Sequence, residues 1–184
     1  MASIDREREA NTSFEEIAGV MRYNPKTGEF RRKDRPNAKV GSFNQKGRLR
    51  ITVNGKKFLA SRLAWLLYYG EWPAQTVDHI DGDRANNCIA NLRLATLTEQ
   101  QCNRGLPENN TSGVKGASFN KRRSAAGLAP WETYITIYGS RAHLGFFVDL
   151  ESAKAVRLRA EAAHHGDFAR QEVLMPNLLS GVSL

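Results

Sequence analysis

Residues 105–113 (GLPENNTSG) divide the chain into two stretches, each with the composition of a folded unit. The segment holds Gly, Pro, Asn and Ser with almost no apolar side chains, which predicts a loop. In a chain of 184 residues, each side of this loop can bury only a modest core. We therefore predict an α+β protein of four segments. These are a first unit at 1–104, a linker at 105–111, a second unit at 112–168 and a tail at 169–184.

Basic side chains lie on both sides of an acidic centre. Residues 21–60 carry twelve basic and two acidic groups, residues 61–110 carry four and six, and residues 111–145 carry five and one. Lys and Arg neutralise phosphates, and clustered carboxylates attract a divalent cation. The pattern suits a polyanion held on both sides of a cation site. A solvated basic face is the alternative for either zone taken alone.

The sequence contains no feature typical of a membrane or exported protein. No stretch approaches the roughly 18 to 20 apolar residues of a membrane span, and the N-terminus is acidic and polar. Cys88 and Cys102 are too few for a disulfide framework or a four-cysteine zinc site. We expect a soluble intracellular protein.

Local signals predict the elements of the first unit. A capping box of Ser13 and Glu16 opens a helix over 13–21, and a strand begins at 29–32. Residues 48–59 alternate around Asn54-Gly55, which predicts a β-hairpin. The apolar run 61–69 predicts a buried helix.

The second unit is predicted to be a three-stranded antiparallel sheet packed on one helix. Strands are expected at 116–120, 131–138 and 143–148, with a long turn over 122–130. The middle strand alternates, so Thr133, Ile135 and Ile137 are expected to face the helix. A helix over 150–165 follows the N-cap Asp149. The small residues expected to face the sheet are Ala153, Val156, Ala160 and Ala163.

The segment 76–105 carries the candidate chemistry. Asp78 and His79 end a predicted strand, and a loop rich in Asp, Gly and Asn follows. A second strand then precedes a helix over about 97–104, which a capping box of Thr96 and Glu99 opens. The loop lacks the ligand positions of an EF-hand, and His79 and the cysteines lack zinc-site spacing. What remains is a hard-cation site of one carboxylate with an amide or water, beside an imidazole. Phosphodiester hydrolysis needs that combination.

Dispersed motifs of the first unit occur in the order of a known family. They are YNPKTGEF at 23–30, RLAW at 62–65, Asp78-His79, Gly82-Asp83, Asn86-Asn87 and NLRLAT at 91–96. With these motifs, residues 14–104 resemble the HNH, or His-Me finger, nucleases of phage and homing type. The resemblance implies a ββα-metal fold with His79 as the general base and Asp78 on one magnesium ion, with manganese as the alternative. It also implies that Asn91 holds the loop in place by hydrogen bonds.

One position departs from the family pattern. The second protein ligand of the metal is usually Asn or His in the first turn of the helix, and counting from Asn91 places Gln100 there. Glutamine keeps a carbonyl oxygen but adds a methylene, so ligation would have a shifted geometry. Asn86 and Asn87 are interpreted as turn formers.

The second unit resembles the APETALA-type, or ethylene-response-factor-type, DNA-binding domain. The matching stretches are SGVKG at 112–116, WETYI at 131–135, HLGFF at 143–147, and the helix from ESA at 151 to GDF at 168. In that family the sheet enters the major groove. The resemblance implies DNA contacts from Lys115, Lys121, Arg122, Arg123, Tyr134, Arg141 and His143. Glu132 departs from it, because a basic residue is common there.

The combined prediction is a metal-dependent endonuclease that hydrolyses phosphodiester bonds in duplex DNA. It would be a phage-encoded nicking enzyme of homing type, a monomer or weak dimer in the bacterial cytoplasm, with no small-molecule cofactor besides the metal. Further DNA contacts are expected from the basic residues of the first unit: Arg31, Arg32, Lys33, Arg48 and Arg50. Two alternatives remain open. One is a DNA-binding protein with an inactive nuclease site, and the other is a protein-interaction scaffold that presents Trp131, Tyr134 and Tyr138.

Overall fold

The computed structural model describes residues 2–137 and 139–168. The predicted tail at 169–184 and Tyr138 lie outside this range. The elements of the N-terminal part are α1 Ala2–Ala10, α2 Phe14–Val20, β1 Met21–Tyr23, β2 Phe30–Arg32, β3 Ser42–Phe43, β4 Leu49–Val53, β5 Lys56–Leu59, α3 Ala60–Tyr69, β6 Thr76–His79, a 3₁₀ turn at Ile89–Asn91, β7 Leu92–Ala95 and α4 Leu97–Cys102. Those of the C-terminal part are β8 Ala117–Phe119, α5 Lys121–Ala125, β9 Trp131–Ile137, β10 Ser140–Phe147, α6 Leu150–His165 and a 3₁₀ turn at Gly166–Phe168.

Helix α1 has no counterpart among the predicted elements. Tertiary contacts hold its C-terminal end, because the buried Glu9 carboxylate accepts two hydrogen bonds from Arg62 of α3. Beyond the helix, Trp72 Nε1 donates to the Thr12 carbonyl at 2.8 Å. The helix therefore depends on partners more than fifty residues away, which local periodicity does not reveal.

The elements that were predicted for the N-terminal part are confirmed, with small shifts of boundary. Ser13 caps α2, which ends at Val20 because Met21 enters β1. Asn54 and Gly55 both have positive φ, as a two-residue hairpin turn between β4 and β5 requires. Fully buried side chains from α2, β4 and α3 form the core: Ile17, Ile51, Val53, Leu63 and Leu66.

The central segment forms two antiparallel strands followed by a short helix. Strands β6 and β7 pair with Asp78 opposite Arg93 and His79 opposite Leu92. Thr96 and Glu99 make the predicted capping box at the start of α4. That helix ends at Cys102, two residues before the predicted end.

The C-terminal part is a sheet with strand order β10-β9-β8 and helix α6 packed on it. Thr133 and Ile135 are fully buried, as the predicted alternation of β9 requires. Strand β10 begins at Ser140, three residues earlier than expected. Where the sequence predicts only a turn, Asn120 caps the short helix α5.

The predicted buried stripe of α6 is wrong in part. Ala153 is buried, but Ala163 is exposed, and the buried positions are instead Arg157, Glu161 and His165. Arg157 and Glu161 form an ion pair at 2.8 Å, and His165 Nε2 lies 3.0 Å from the Thr136 carbonyl. Polar groups with internal partners thus form much of the buried face of α6, where the pattern predicted a stripe of small residues.

Across residues 2–137 and 139–168, none of the helices combines the length and the apolar character that crossing a membrane would require.

Candidate active site

Asp78 and His79 are the last two residues of β6, and each is 6% exposed. A regular strand would direct their side chains to opposite faces. At the end of β6, however, both residues line one cavity of about 340 Å³. The other lining residues are Lys46, Arg48, Gly82, Arg84, Gln100, Asn103, Arg104 and Gly105. The structure thus brings together four of the predicted site residues: Asp78, His79, Gln100 and the predicted DNA contact Arg48.

The His79 ring contacts the side chain of Asn87. Asn87 Oδ1 lies 3.3 Å from His79 Nε2, while Asn87 Nδ2 donates to the Ala85 carbonyl at 3.0 Å. Because this second bond orients the amide, Nε2 acts as the donor and the lone pair is left on Nδ1. Asn87 is therefore more than the turn former predicted from the sequence: it sets the tautomer of His79.

Burial also favours the neutral form of His79. It lowers the pKa of the imidazole below its ordinary value, although the contact with Asn87 acts in the opposite direction. A neutral imidazole with a lone pair on Nδ1 can accept a proton from water. The ring therefore has the charge state that a general base needs at neutral pH.

The end of β1 and the turn that follows it, residues 23–28, support the loop that carries Asn87. Tyr23 Oη donates to the Asn87 carbonyl at 2.8 Å, and the Ile89 amide donates to the Pro25 carbonyl at 2.9 Å. Gly28 has a φ of +73°, and a Cβ at this position would lie 2.6 Å from the Asn87 carbonyl carbon. Glycine is therefore needed here for both conformation and space.

Asn91 is not a lining residue of the cavity, but its side chain ties the loop to the hairpin. Its Oδ1 accepts from the Asp81 amide at 3.0 Å, and its Nδ2 donates to Asp81 Oδ1 and to the Asn86 carbonyl, each at 2.9 Å. Burial acts to raise the pKa of Asp81, but the hydrogen bonds from Asn86 and Asn91 outweigh it and lower the pKa. The contacts of Asn91 are those of a residue that shapes the loop.

Two residues absent from the predicted site hold the Asp78 carboxylate. Asp78 Oδ2 accepts from Arg93 Nε at 3.1 Å and Arg93 Nη2 at 3.0 Å. It also accepts from Asn103 Nδ2 at 3.1 Å, and the same amide donates to the His79 carbonyl at 2.6 Å. The hairpin register, which sets Arg93 opposite Asp78, could have indicated the first contact. No sequence signal indicated Asn103.

The donor set fits a hard divalent cation. In the described ranges, no group of three or more His, Cys, Asp and Glu side chains could hold a metal, so amide oxygens must complete any protein ligand set. Asn103 Oδ1 is buried and has no hydrogen-bond partner among the described residues. Together with the Asp78 carboxylate and the amide of Gln100 at the same cavity, it offers the oxygen ligands that magnesium prefers.

A basic groove continues from this cavity. The groove, of about 680 Å³, shares Lys46 and Arg48 with the active-site cavity. Its other lining residues are Arg6, Phe43, Asn44, Gln45, Arg50, Leu59, Arg62 and Thr76. Since none of these is acidic, the groove suits a polyanion. Arg48 and Arg50 of this groove are predicted DNA contacts, whereas Arg6 and Lys46 were not predicted.

The predicted DNA contacts of the C-terminal part mostly share one surface. Tyr134 pairs with His143 across the strands, and the Arg141 guanidinium lies 3.3 Å from the Tyr134 ring centroid. Arg123 stacks on the neighbouring Phe146 at 3.7 Å. Stacking of this kind pre-orders both guanidinium groups. Lys121 and Arg122 are exposed on α5.

The remaining predicted DNA contacts line neither the active-site cavity nor the basic groove. Lys115 Nζ donates to the Cys102 and Arg104 carbonyls at 2.8 and 3.0 Å, so its ammonium group is engaged within the protein. Arg31 and Arg32 on β2 pair with Glu29 and Asp34. The neighbouring Lys33 is exposed.

Comparison with known proteins identifies the class. Residues 58–102, which include Asp78, His79, Asn91 and Gln100, match the sequence profile described as HNH endonuclease. The chain belongs to that family, whose nuclease domain implies DNA as the substrate. Among its relatives is Protein 3.8 of Escherichia phage T7, to which the chain is 38% identical over 94 residues, covering 51% of this chain and 73% of that protein. No solved structure matches the chain.

Proposed function

We propose that this chain is a metal-dependent endonuclease that nicks duplex DNA, with His79 as the general base. The observation that carries the proposal is that Asp78 and His79, both buried, open into one cavity whose walls are otherwise largely basic. A scissile phosphate would be held by Lys46, Arg48 and Arg84 while Nδ1 of His79 takes the proton of the attacking water.

Asp78, with Gln100 or Asn103, would hold the divalent cation that HNH nucleases typically use. When bound, such a cation supplies positive charge for the leaving oxygen of the phosphodiester. Asn87 sets the tautomer of His79, and Arg93 and Asn103 orient the carboxylate of Asp78. These residues keep the base and the ligand fixed before DNA arrives.

The basic groove would hold the backbone of the cut strand, and the C-terminal sheet would anchor the duplex. The cluster of Arg123, Tyr134, Arg141 and His143 supports the second role, because arginines stacked on aromatic rings are suited to DNA contact. One site per chain supports a nick over a double-strand break. The phage relative supports a phage-encoded enzyme that acts in the host cytoplasm. The homing type is proposed from the sequence resemblance alone.

The test is relaxation of supercoiled plasmid in magnesium or manganese. Wild-type protein should nick the plasmid, and His79→Ala should abolish nicking while its affinity for DNA stays within about twofold. His164→Ala removes an exposed histidine of α6 and should nick at the wild-type rate. Nicking by His79→Ala at the wild-type rate would show that His79 is not the base.

A second candidate function is DNA binding without cutting. It is favoured by the direct pairing of Asp78 with Arg93 and by glutamine at position 100. In that case wild-type protein would bind duplex DNA with a marked salt dependence and leave the plasmid supercoiled with either metal.

A further inference from the structure

Phe168 of the C-terminal part contacts Arg93, the arginine that donates to Asp78. Phe168 ends the 3₁₀ turn that follows α6, and the Arg93 guanidinium lies over its ring, 4.2 Å from the ring centroid. The same guanidinium donates twice to Asp78 Oδ2. A single side chain thus joins an aromatic ring of the C-terminal part to the candidate metal ligand.

Lys115 makes a second, separate connection. Its two acceptors are the carbonyls of Cys102 and Arg104, the residues on either side of Asn103. Asn103 is the other side chain that donates to Asp78 Oδ2. Among the described residues, Arg93 and Asn103 thus both donate to the Asp78 carboxylate, and a residue from beyond the linker contacts either the donor itself or the carbonyls beside it.

We propose that residues 112–168 brace the nuclease site, with Phe168 as a positioning residue that holds Arg93 against Asp78. The inference rests on the proposed function and extends it. The C-terminal part would then do more than anchor DNA, because it would also orient the carboxylate that holds the cation. Residues that hydrogen-bond to a metal ligand commonly change metal affinity or activity by about 10- to 100-fold when they are lost.

The physical basis is the freedom of a long arginine side chain. A guanidinium on a flexible stem has many rotamers, and holding it in one of them costs conformational entropy. The ring of Phe168 covers one face of the guanidinium and attracts its charge, which favours the rotamer seen here. With the Arg93 side chain only 15% exposed, water competes weakly for this position.

The experiment measures manganese binding to the full-length chain by calorimetry, without DNA and without turnover. Phe168→Leu removes the ring but keeps apolar bulk, and we expect affinity for manganese to fall about tenfold. Phe168→Tyr restores the ring and should restore the affinity. Phe119→Leu is the matched control, because Phe119 packs edge-to-face against Trp131 in the same part of the chain. The manganese affinity of this variant should equal that of the wild type.

A second readout requires no metal. The Arg93 Nε–H signal in a ¹⁵N NMR spectrum, identified by its loss in Arg93→Lys, should exchange slowly with water in wild-type protein and Phe168→Tyr. It should exchange faster in Phe168→Leu. Unchanged manganese affinity together with unchanged exchange in Phe168→Leu would overturn the brace. If wild-type protein binds no manganese while the exchange still depends on Phe168, the brace stands and the proposed metal site fails.

Discussion

The two parts of the molecule each contain an arginine–carboxylate pair that is almost buried, and the pairs are satisfied very differently. In the nuclease part, Arg93 uses Nε and Nη2 on Asp78 and lies over a phenylalanine ring. In the C-terminal part, Arg157 pairs with Glu161 through Nη2, but its buried Nε and Nη1 have no hydrogen-bond partner among the described residues.

The difference separates a pair that orients a side chain of the candidate active site from a pair that lies outside that site. A buried ion pair offsets its desolvation only when its remaining hydrogen bonds are made. Asp78 lines the active-site cavity and Arg93 orients its carboxylate, so we expect this pair to matter for function. Arg157 and Glu161 are one turn apart on α6, the helix that packs on the sheet, and Arg157 lines a separate cavity. We expect apolar side chains of similar volume to serve as well there.

The largest effect is expected when the C-terminal pair is broken on one side. Glu161→Leu leaves the Arg157 charge buried without its partner, and we expect the free energy of unfolding to fall by about 3–5 kcal/mol in urea titrations. The double variant Arg157→Met/Glu161→Leu should return to within about 1 kcal/mol of the wild type or exceed it. Glu151→Leu, at an exposed position of the same helix, serves as the control. A double variant as unstable as the single one would contradict the comparison.

A smaller effect is expected at the glycine that makes room for Arg157. Gly116 has a φ of +74°, and a Cβ there would lie 2.4 Å from the Tyr134 carbonyl oxygen and 2.7 Å from Arg157 Nε. We expect Gly116→Ala to lower the free energy of unfolding by about 2–3 kcal/mol. Gly127→Ala has a similar φ, +69°, but no atom within 4 Å of the added Cβ, so it isolates the conformational cost. Equal losses in the two variants would show that the close contact is unimportant.

Elements with strong local signals were predictable from the sequence. The Asn54-Gly55 turn, the capping box at Thr96 and Glu99, and the alternation of β9 each depend on residues close together in the chain, and the structure confirms all three. Helix α1 was missed because its anchor, the pair of Glu9 with Arg62, joins distant segments. The buried face of α6 was wrong because an internal ion pair hides charged residues from an apolar pattern.

The residues of the candidate site divide in the same way, into those found from local sequence motifs and those that depend on tertiary contacts. Asp78, His79 and Gln100 were found by motif and spacing, and they do meet at one cavity. Asn103 could not be found by spacing, because its contact with Asp78 arises only where the chain leaves α4. The pairing of Arg93 with Asp78 was implicit in the hairpin register, but the contact of its guanidinium with the ring of Phe168 required the tertiary structure.

The smallest effect, expressed as a free energy, is expected in the nuclease pair, and it is an effect on catalysis. Arg93→Met should slow plasmid nicking about 10- to 100-fold, equivalent to about 1.4–2.7 kcal/mol of activation free energy, because Asp78 loses two of the hydrogen bonds that orient it. Its DNA affinity, measured separately, should change little. The Arg157→Met/Glu161→Leu double variant should nick at the wild-type rate, since that pair lies outside the active-site cavity. If the two variants slowed nicking equally, the pairs would not differ in role. Arg93→Lys, which keeps the charge but not the planar fork, should fall between wild type and Arg93→Met.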